Sequence, residues 1–165
     1  MPLFLSKYTN KLDSKGRVSV PAPFRGALYS DDFSGVILFA SPKYQCLEGF
    51  DMKSMESIAG RLDQFDMFSS EQDDMAAAIF GAARPLSLDG QGRIVLPEDL
   101  IVYAGLKGHQ VVIVGLGRKF QIWNPALYEK RQNEARQNVE SKGLTLPRDL
   151  SAKACDSKVN DEGEA

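Results

Sequence analysis

One short motif occurs twice in this chain, and that repetition constrains the fold more than any other feature. Leu12-Asp13-Ser14-Lys15-Gly16-Arg17 recurs as Leu88-Asp89-Gly90-Gln91-Gly92-Arg93. β-Branched residues and then a proline follow each copy, from Val18 to Pro21 and from Ile94 to Pro97. The Asp, Gly, Arg and Pro of the second copy all lie 76 positions after those of the first. Repetition at a fixed offset predicts two like halves, here packed about a pseudo-twofold axis. A half of this size would bury only about 60% of its surface alone, so the halves are expected to share one core.

Charge is segregated along the chain. Residues 1–30 hold five basic groups against one acidic, a balance of +4; residues 31–83 hold three against ten, or −7. Residues 84–150 return to +3, and residues 151–165 carry −2, which together make the net charge of −2. Positive charge therefore gathers around the two motifs and acid between them, which allows an anion-binding face on an acidic protein. No apolar run approaches the ~18 residues of a membrane span, and residues 1–7 lack the pattern of a signal peptide. Two distant cysteines, Cys46 in a strand and Cys155 in the tail, fit a reduced cytosolic protein, with Cys155 read as a spectator thiol.

Residues 3–12 read as a strand entering the first motif, and Val18-Ser19-Val20 as one leaving it, together a hairpin-like element. Pro23 and Pro97 suit the first turns of short helices, and Gly105 is placed to end the second in a left-handed conformation. Each half continues with a second hairpin. The first runs from Val36–Phe39 through Ser41-Pro42 to Gln45–Phe50; the second runs from Gln110–Val114 through Gly115-Leu116-Gly117 to Phe120–Trp123. A helix follows each: one capped by Asp51 with a stripe of Met55, Ile58, Ala59, Leu62 and Phe65, the other opened by Asn124-Pro125 and more polar. Ser69 to Gln72 fit a capping box before Met75–Phe80, a linking helix ended by Gly81. Residues 151–165 lack an apolar pattern and read as a disordered tail.

The motif itself has a physical logic. An aspartate opening a turn accepts backbone N–H groups two residues on, so Asp13 and Asp89 are loop-shaping, while Gly16 and Gly92 tolerate positive φ. The arginine that follows leaves the turn in a set direction, suited to bidentate contact with guanine or phosphate. Two fates remain open for Arg17 and Arg93: pairing back to an aspartate of a turn, or contact with nucleic acid. Both can hold in one protein, since a paired arginine can swing to DNA.

Tandem Asp-x-x-Gly-Arg turns of this kind, each followed by a β-branched strand and a proline, resemble the two modules of the MraZ family, members of the AbrB-like DNA-binding proteins. Leu12 to Pro21 and Lys119-Phe120-Gln121-Ile122-Trp123 carry the likeness, which extends from residue 1 to about 150. The resemblance implies an α+β, mainly β fold. In it two tandem swapped-hairpin modules form a pseudo-twofold, double-psi-like β-barrel with flanking helices. The expected division is a first module at 1–55, a helical linker at 56–83, a second module at 84–127, a C-terminal helix at 128–150 and the tail at 151–165. It further implies a bacterial, cytoplasmic and nucleoid-associated transcriptional regulator of the division and cell-wall gene cluster, including its own gene. Such proteins are ring-shaped homo-oligomers, octamer-like or larger, that bind repeated promoter elements in double-stranded DNA. The family's DNA-contacting arginine falls on Arg17, with Arg93 its counterpart, and Lys15 matches a basic position of the first turn. Lys11 and Lys7 complete the expected DNA-binding set. In the second turn Gln91 stands where a cation is expected, which ranks the first turn as the stronger contact.

Other classes have less behind them. The single histidine, His109, lies in a polar turn, no Cys/His cluster has metal-ligand spacing, and Gly115-Leu116-Gly117 lacks the third glycine and the context of a dinucleotide loop. Asp73 and Asp74 read as solvated helix residues. An enzyme, a cofactor, a metal, a membrane and a small-molecule substrate are thus not expected. The alternative is an AbrB-like protein-interaction module of the antitoxin type, without its own operator and with a partner on the acidic middle helices. Residues 151–165 offer such a partner few apolar anchors.

Overall fold

The computed structural model describes residues 3–108 and 110–149; the expected disordered tail with Cys155, and His109, lie outside the described residues. Two units are distinguished, one ending at Glu129 and one beginning at Lys130. The first holds eight strands: β1 Lys7–Lys11, β2 Arg17–Ser19, β3 Gly35–Ala40, β4 Leu47–Phe50, β5 Arg84–Ser87, β6 Arg93–Val95, β7 Gln110–Gly115 and β8 Phe120–Trp123. Helices are α1 Ala22–Leu28, α2 Met52–Leu62, α3 Ser70–Ala76, α4 Glu98–Ala104 and α5 Pro125–Lys142, with a π-helical turn Ala77–Gly81 prolonging α3.

Six strands form one antiparallel sheet in the order β1-β7-β8-β4-β3-β5, and β2 and β6 form a separate two-stranded ribbon. The two halves exchange strands within it. β1 of the first half pairs with β7 of the second, and β5 of the second pairs with β3 of the first. The ribbon pairs Val18 with Ile94, its own counterpart 76 positions on, so the pseudo-twofold axis runs through this pair.

Several expectations change at this level. β1 and β2 do not form a hairpin with each other, because each finds its partner in the opposite half. The expected barrel does not close: β1 and β5 are the edges of an open sheet. β2 and β6 are three residues long, hemmed between a tight turn and a proline-capped helix, and have no length left to pair a second neighbour. The expected strand at 3–12 is interrupted at Ser6 (φ 74°), though Phe4 still bridges to Gly117. Pro85 is accommodated because β5 is an edge strand, where a missing N–H costs least.

One core is shared by both halves, as expected. Val18, Val20, Phe24, Val36, Leu38 and Leu47 pack with Ile94, Leu96, Leu100, Ile101, Val111, Ile113, Phe120 and Ile122. At its centre the Phe4 ring meets those of Phe24 and Phe120 edge-on, each at a centroid distance of 5.1 Å. The opposite face of the sheet is covered too. Ile37 and Phe39 lie under Met55 and Ile58 of α2, and Val112, Val114 and Trp123 under Leu127 and Tyr128 of α5. Strands covered on both faces read as near-continuous apolar runs, which explains Gly35–Ala40 and Gln110–Gly115. Cys46 is fully buried, one residue before β4 rather than inside it.

Local signals set most of the helix ends. Pro21 and Pro97 occupy equivalent N-cap positions of α1 and α4, and Gly105 ends α4 at φ 65°. Pro23 falls in the first turn of α1, whereas Pro97 stands one place before α4. Asn124 Oδ1 accepts the N–H groups of Ala126 and Leu127 at the start of α5. Ser69 Oγ accepts the Gln72 N–H at 3.2 Å, which is half of the expected capping box; the reciprocal half is not formed, because the Ser69 N–H donates to Asp66 O instead. Asp51 takes the N-cap of α2 without a side-chain capping bond, and Phe65 lies beyond the end of that helix, 42% exposed. The linking helix ends in the π-helical turn, whose C-cap is Ala82 rather than Gly81.

Candidate nucleic-acid interface

Each motif folds into the same closed turn. In the first, Asp13 Oδ1 accepts the N–H groups of Lys15 (2.9 Å) and Arg17 (2.8 Å), and Asp13 Oδ2 accepts Arg17 Nε at 2.7 Å. Two backbone bonds, Asp13 N–H to Arg17 O and Gly16 N–H to Asp13 O, close the loop, with Gly16 at φ 79°. In the second, Asp89 Oδ1 accepts Gln91 N–H (2.8 Å) and Arg93 N–H (2.9 Å), Oδ2 accepts Arg93 Nε at 2.9 Å, and Gly92 is at φ 73°.

The turns are also tied to each other. Val20 N–H donates to Gly92 O at 2.9 Å, and Leu96 N–H donates to Gly16 O at 2.8 Å. Each turn is thus held by the strand that leaves the other, so neither is an independent loop.

Electrostatics favour the ionised aspartates. The Arg17 backbone N–H is the largest influence holding the Asp13 carboxyl below its ordinary value, and the Arg17 side chain and Lys15 N–H add to it while burial opposes. Asp89 is lowered likewise, first by the Arg93 backbone N–H and then by Gln91 N–H and the Arg93 side chain. Of the two fates left open for the arginines, pairing with the aspartate of the same turn is therefore realised, through Nε. That leaves both terminal amino groups of each guanidinium without a hydrogen-bond partner among the described residues. Roughly a third of each arginine side chain stays exposed, at 35% for Arg17 and 30% for Arg93.

The ribbon sorts these residues by face. Val18 and Ile94 are buried toward the core, while Arg17, Ser19, Arg93 and Val95 alternate onto the other face. Arg17 stands opposite Val95 and Arg93 opposite Ser19. That makes the two arginines diagonal neighbours, roughly 7–8 Å apart at the backbone. Exposed Lys15 lies within the first turn, two residues before Arg17, and exposed Lys11 ends the strand leading into that turn. Lys7 is placed elsewhere: it lies four residues back along β1, roughly 13 Å away, with Nζ 5.6 Å from the centre of the Tyr128 ring.

Arg25 is a cation at the turns that lies outside both motifs and was not among the expected residues. It projects from α1, its Nε donates to Val20 O at 3.0 Å, and its guanidinium packs where a Cβ on Gly92 would have to sit. The signal that could have found it is the repeat itself, which puts Ile101 at the equivalent position.

A tandem protein that presents two arginine-bearing turns on one shared β-ribbon is the class that this geometry defines. A family model described as "MraZ protein, putative antitoxin-like" matches twice, over residues 3–77 and 79–158, once for each repeat. The chain belongs to the MraZ family. A relative named transcriptional regulator MraZ from Gluconacetobacter diazotrophicus is 46% identical over 150 residues, covering 89% of this chain and 93% of the relative. Relatives of the same name from Gluconobacter oxydans (43% identical, 86% of this chain, 87% of the relative) and Rickettsia rickettsii (42%, 88% and 97%) are similar over nearly the same span. Those names agree with the expectation of a non-enzyme. No helix among the described residues is long and apolar enough to cross a membrane.

Proposed function

We propose that this chain is a sequence-specific DNA-binding transcriptional regulator that grips double-stranded DNA with its paired turns. The observation that carries the reading is the ribbon, which holds Arg17 and Arg93 side by side on one face with their terminal amino groups uncommitted. Arg17 and Lys15 form the stronger half, Arg93 the weaker, Lys11 a flanking contact, and Lys7 an outlying one. Asp13, Gly16, Asp89 and Gly92 shape the turns and do not touch DNA. The exchange of β1 and β5 between halves supports reading residues 1–55 and 84–127 as two swapped-hairpin modules joined by the 56–83 linker, with the C-terminal helix at 128–150. The sites are repeated elements in the promoter of the division and cell-wall gene cluster, upstream of the protein's own gene. The protein works there in the cytoplasm, at the nucleoid.

A few phosphate contacts from one ribbon give weak binding, with dissociation constants of ~10⁻⁴–10⁻⁶ M. A ring-shaped homo-oligomer, octamer-like or larger, engaging several repeats multiplies this by ~10²–10⁴ where spacing permits. Affinity is therefore expected to rise steeply with the number of repeats. Fluorescence anisotropy on DNA upstream of the gene, against scrambled DNA and a single-repeat duplex, tests this with wild type and Arg17→Ala across a salt series. Preference for the upstream DNA that Arg17→Ala abolishes, with circular dichroism unchanged, supports the regulator. Equal, feeble binding by both proteins to both DNAs overturns it in favour of the protein-interaction module. That second reading has its own observation: Phe65, Met67 and Phe68, between α2 and α3, are exposed by 42%, 73% and 91%.

A further inference from the structure

The two turns are unequal in sequence charge. The first carries Lys15 and Arg17, the second only Arg93, because Gln91 stands at the position of Lys15. Helices α1 and α4 each lay one side chain against the turn of the opposite repeat, at positions 76 apart. Against the first turn that side chain is Ile101, whose Cδ1 lies 3.5 Å from where a Cβ on Gly16 would sit. Against the second turn it is Arg25, whose guanidinium fills the space over Gly92. The apolar partner therefore backs the turn that has two cations of its own, and the cationic partner backs the turn that lacks one.

Arg25 differs from the motif arginines in its surroundings. Arg17 and Arg93 are each paired to an aspartate, whereas no carboxylate lies within ion-pair distance of Arg25 among the described residues. Its Nε is committed to Val20 O, and Val20 N–H in turn bonds Gly92 O, so the guanidinium is tied to the turn through a single residue. The two terminal amino groups stay open, a planar fork suited to two oxygens of one phosphate.

We propose that Arg25 supplies the missing cation of the second turn and is a further phosphate-contacting residue, acting across the repeat boundary. The proposal rests on the DNA-binding reading above. It gives each turn two cations, Lys15 and Arg17 on one and Arg25 and Arg93 on the other, so the pseudo-twofold axis relates charge where it does not relate sequence. Arg25 sits at the base of its turn and not on the outward face of the ribbon, which fits backbone contact and not base reading.

Anisotropy titrations of the full chain on upstream and scrambled DNA across a salt series test it, with four variants beside wild type. Arg25→Gln is expected to weaken binding by about tenfold on both DNAs and to flatten the salt slope by about 0.9 for each phosphate no longer neutralised. Arg25→Gln with Gln91→Lys restores both, because the cation returns to the place the first turn uses. Gln91→Lys alone, an exposed change that leaves the fold alone, strengthens binding less than about threefold because Arg25 already fills the site. Arg17→Ala reports on the parent reading. If Arg25→Gln matches wild type in affinity and slope while Arg17→Ala abolishes binding, the regulator stands and the Arg25 proposal is overturned. A weakened Arg25→Gln with an unchanged salt slope and no rescue by Gln91→Lys also overturns it. So does a tenfold improvement from Gln91→Lys alone, which remains decisive if Arg25→Gln fails to fold. Wild type without preference for the upstream DNA removes both readings together.

Discussion

Glu48 and Gln121 face each other across β4 and β8, both about 5% exposed, with Gln121 Nε2 donating to Glu48 Oε1 at 3.0 Å. Trp123 Nε1 donates to Gln121 Oε1 at 2.9 Å, and Lys119 Nζ lies 3.1 Å from Glu48 Oε2. Both residues come from second hairpins of their repeats, so this polar pair marks the pseudo-twofold relation at the sheet as Val18 and Ile94 mark it at the ribbon. Replacing Glu48 leaves the Gln121 amide buried without its acceptor, which costs about 1–3 kcal/mol. Glu48→Ala is thus expected to lower the thermal midpoint clearly, while Lys119→Ala, which removes the half-exposed partner, lowers it by less. Equal, small losses in a calorimetric scan would contradict this network as a source of stability.

Gly92 and Gly90 sit two residues apart in one turn and answer differently to a methyl group. Gly92 combines φ 73° with the Arg25 guanidinium packed against it, whereas a Cβ on Gly90 meets open space. Gly92→Ala is expected to destabilise by more than about 1 kcal/mol, and Gly90→Ala to change little or to stabilise through the unfolded chain. Urea titrations of the two variants separate these effects. Arg25→Ala in the Gly92→Ala background should recover part of the loss, since it removes the overlapping Cδ, Nε and Cζ.

What was legible in the sequence was local. Asp13, Gly16 and Arg17 announce a turn because side chain, φ preference and strand start all act within five residues. Asn124-Pro125 and Gly105 mark helix ends for the same reason. Partner choice was not local. The residues of β1 carry nothing that distinguishes pairing with β2, which follows directly after the turn, from pairing with β7 in the other half. Burial on both faces of the sheet also hid Glu48, since a lone acid in a strand normally reads as outward-facing. Arg25 was hidden because it lies beyond the end of the motif and packs on the turn of the other repeat; the 76-residue offset singles it out against Ile101 but does not say which turn it touches.

The aspartates impose a pH dependence whose sign follows from their lowered values. Asp13 and Asp89 bind protons less readily folded than unfolded, so near pH 4 the unfolded chain takes up more protons and stability rises with pH. Their contribution is fully present above about pH 4 and disappears as pH falls through the folded values. Asp13→Asn with Asp89→Asn keeps an acceptor oxygen in each turn but removes the titration. Thermal midpoints between about pH 3 and 7 should then vary less steeply than in wild type. An unchanged profile would place the acid sensitivity in other carboxylates.

Val18 and Ile94 meet where each repeat's strand crosses the axis, both about 1% exposed and paired across the ribbon. Their side chains enter the common core with Val20, Leu96 and Phe24. Truncating a buried Ile to Ala costs about 2–5 kcal/mol, partly through the cavity left behind. Because the two residues share neighbours, their losses should not add: once Ile94→Ala has opened the space, Val18→Ala removes packing that is already loosened. A double-mutant cycle in urea is expected to give a double-variant loss smaller than the two single losses together, by about 0.5 kcal/mol or more. A pair on different repeats can couple this way only if the halves share one core. Strict additivity would mean that the halves are stabilised separately, and that the ribbon holding Arg17 beside Arg93 is not the joint between them.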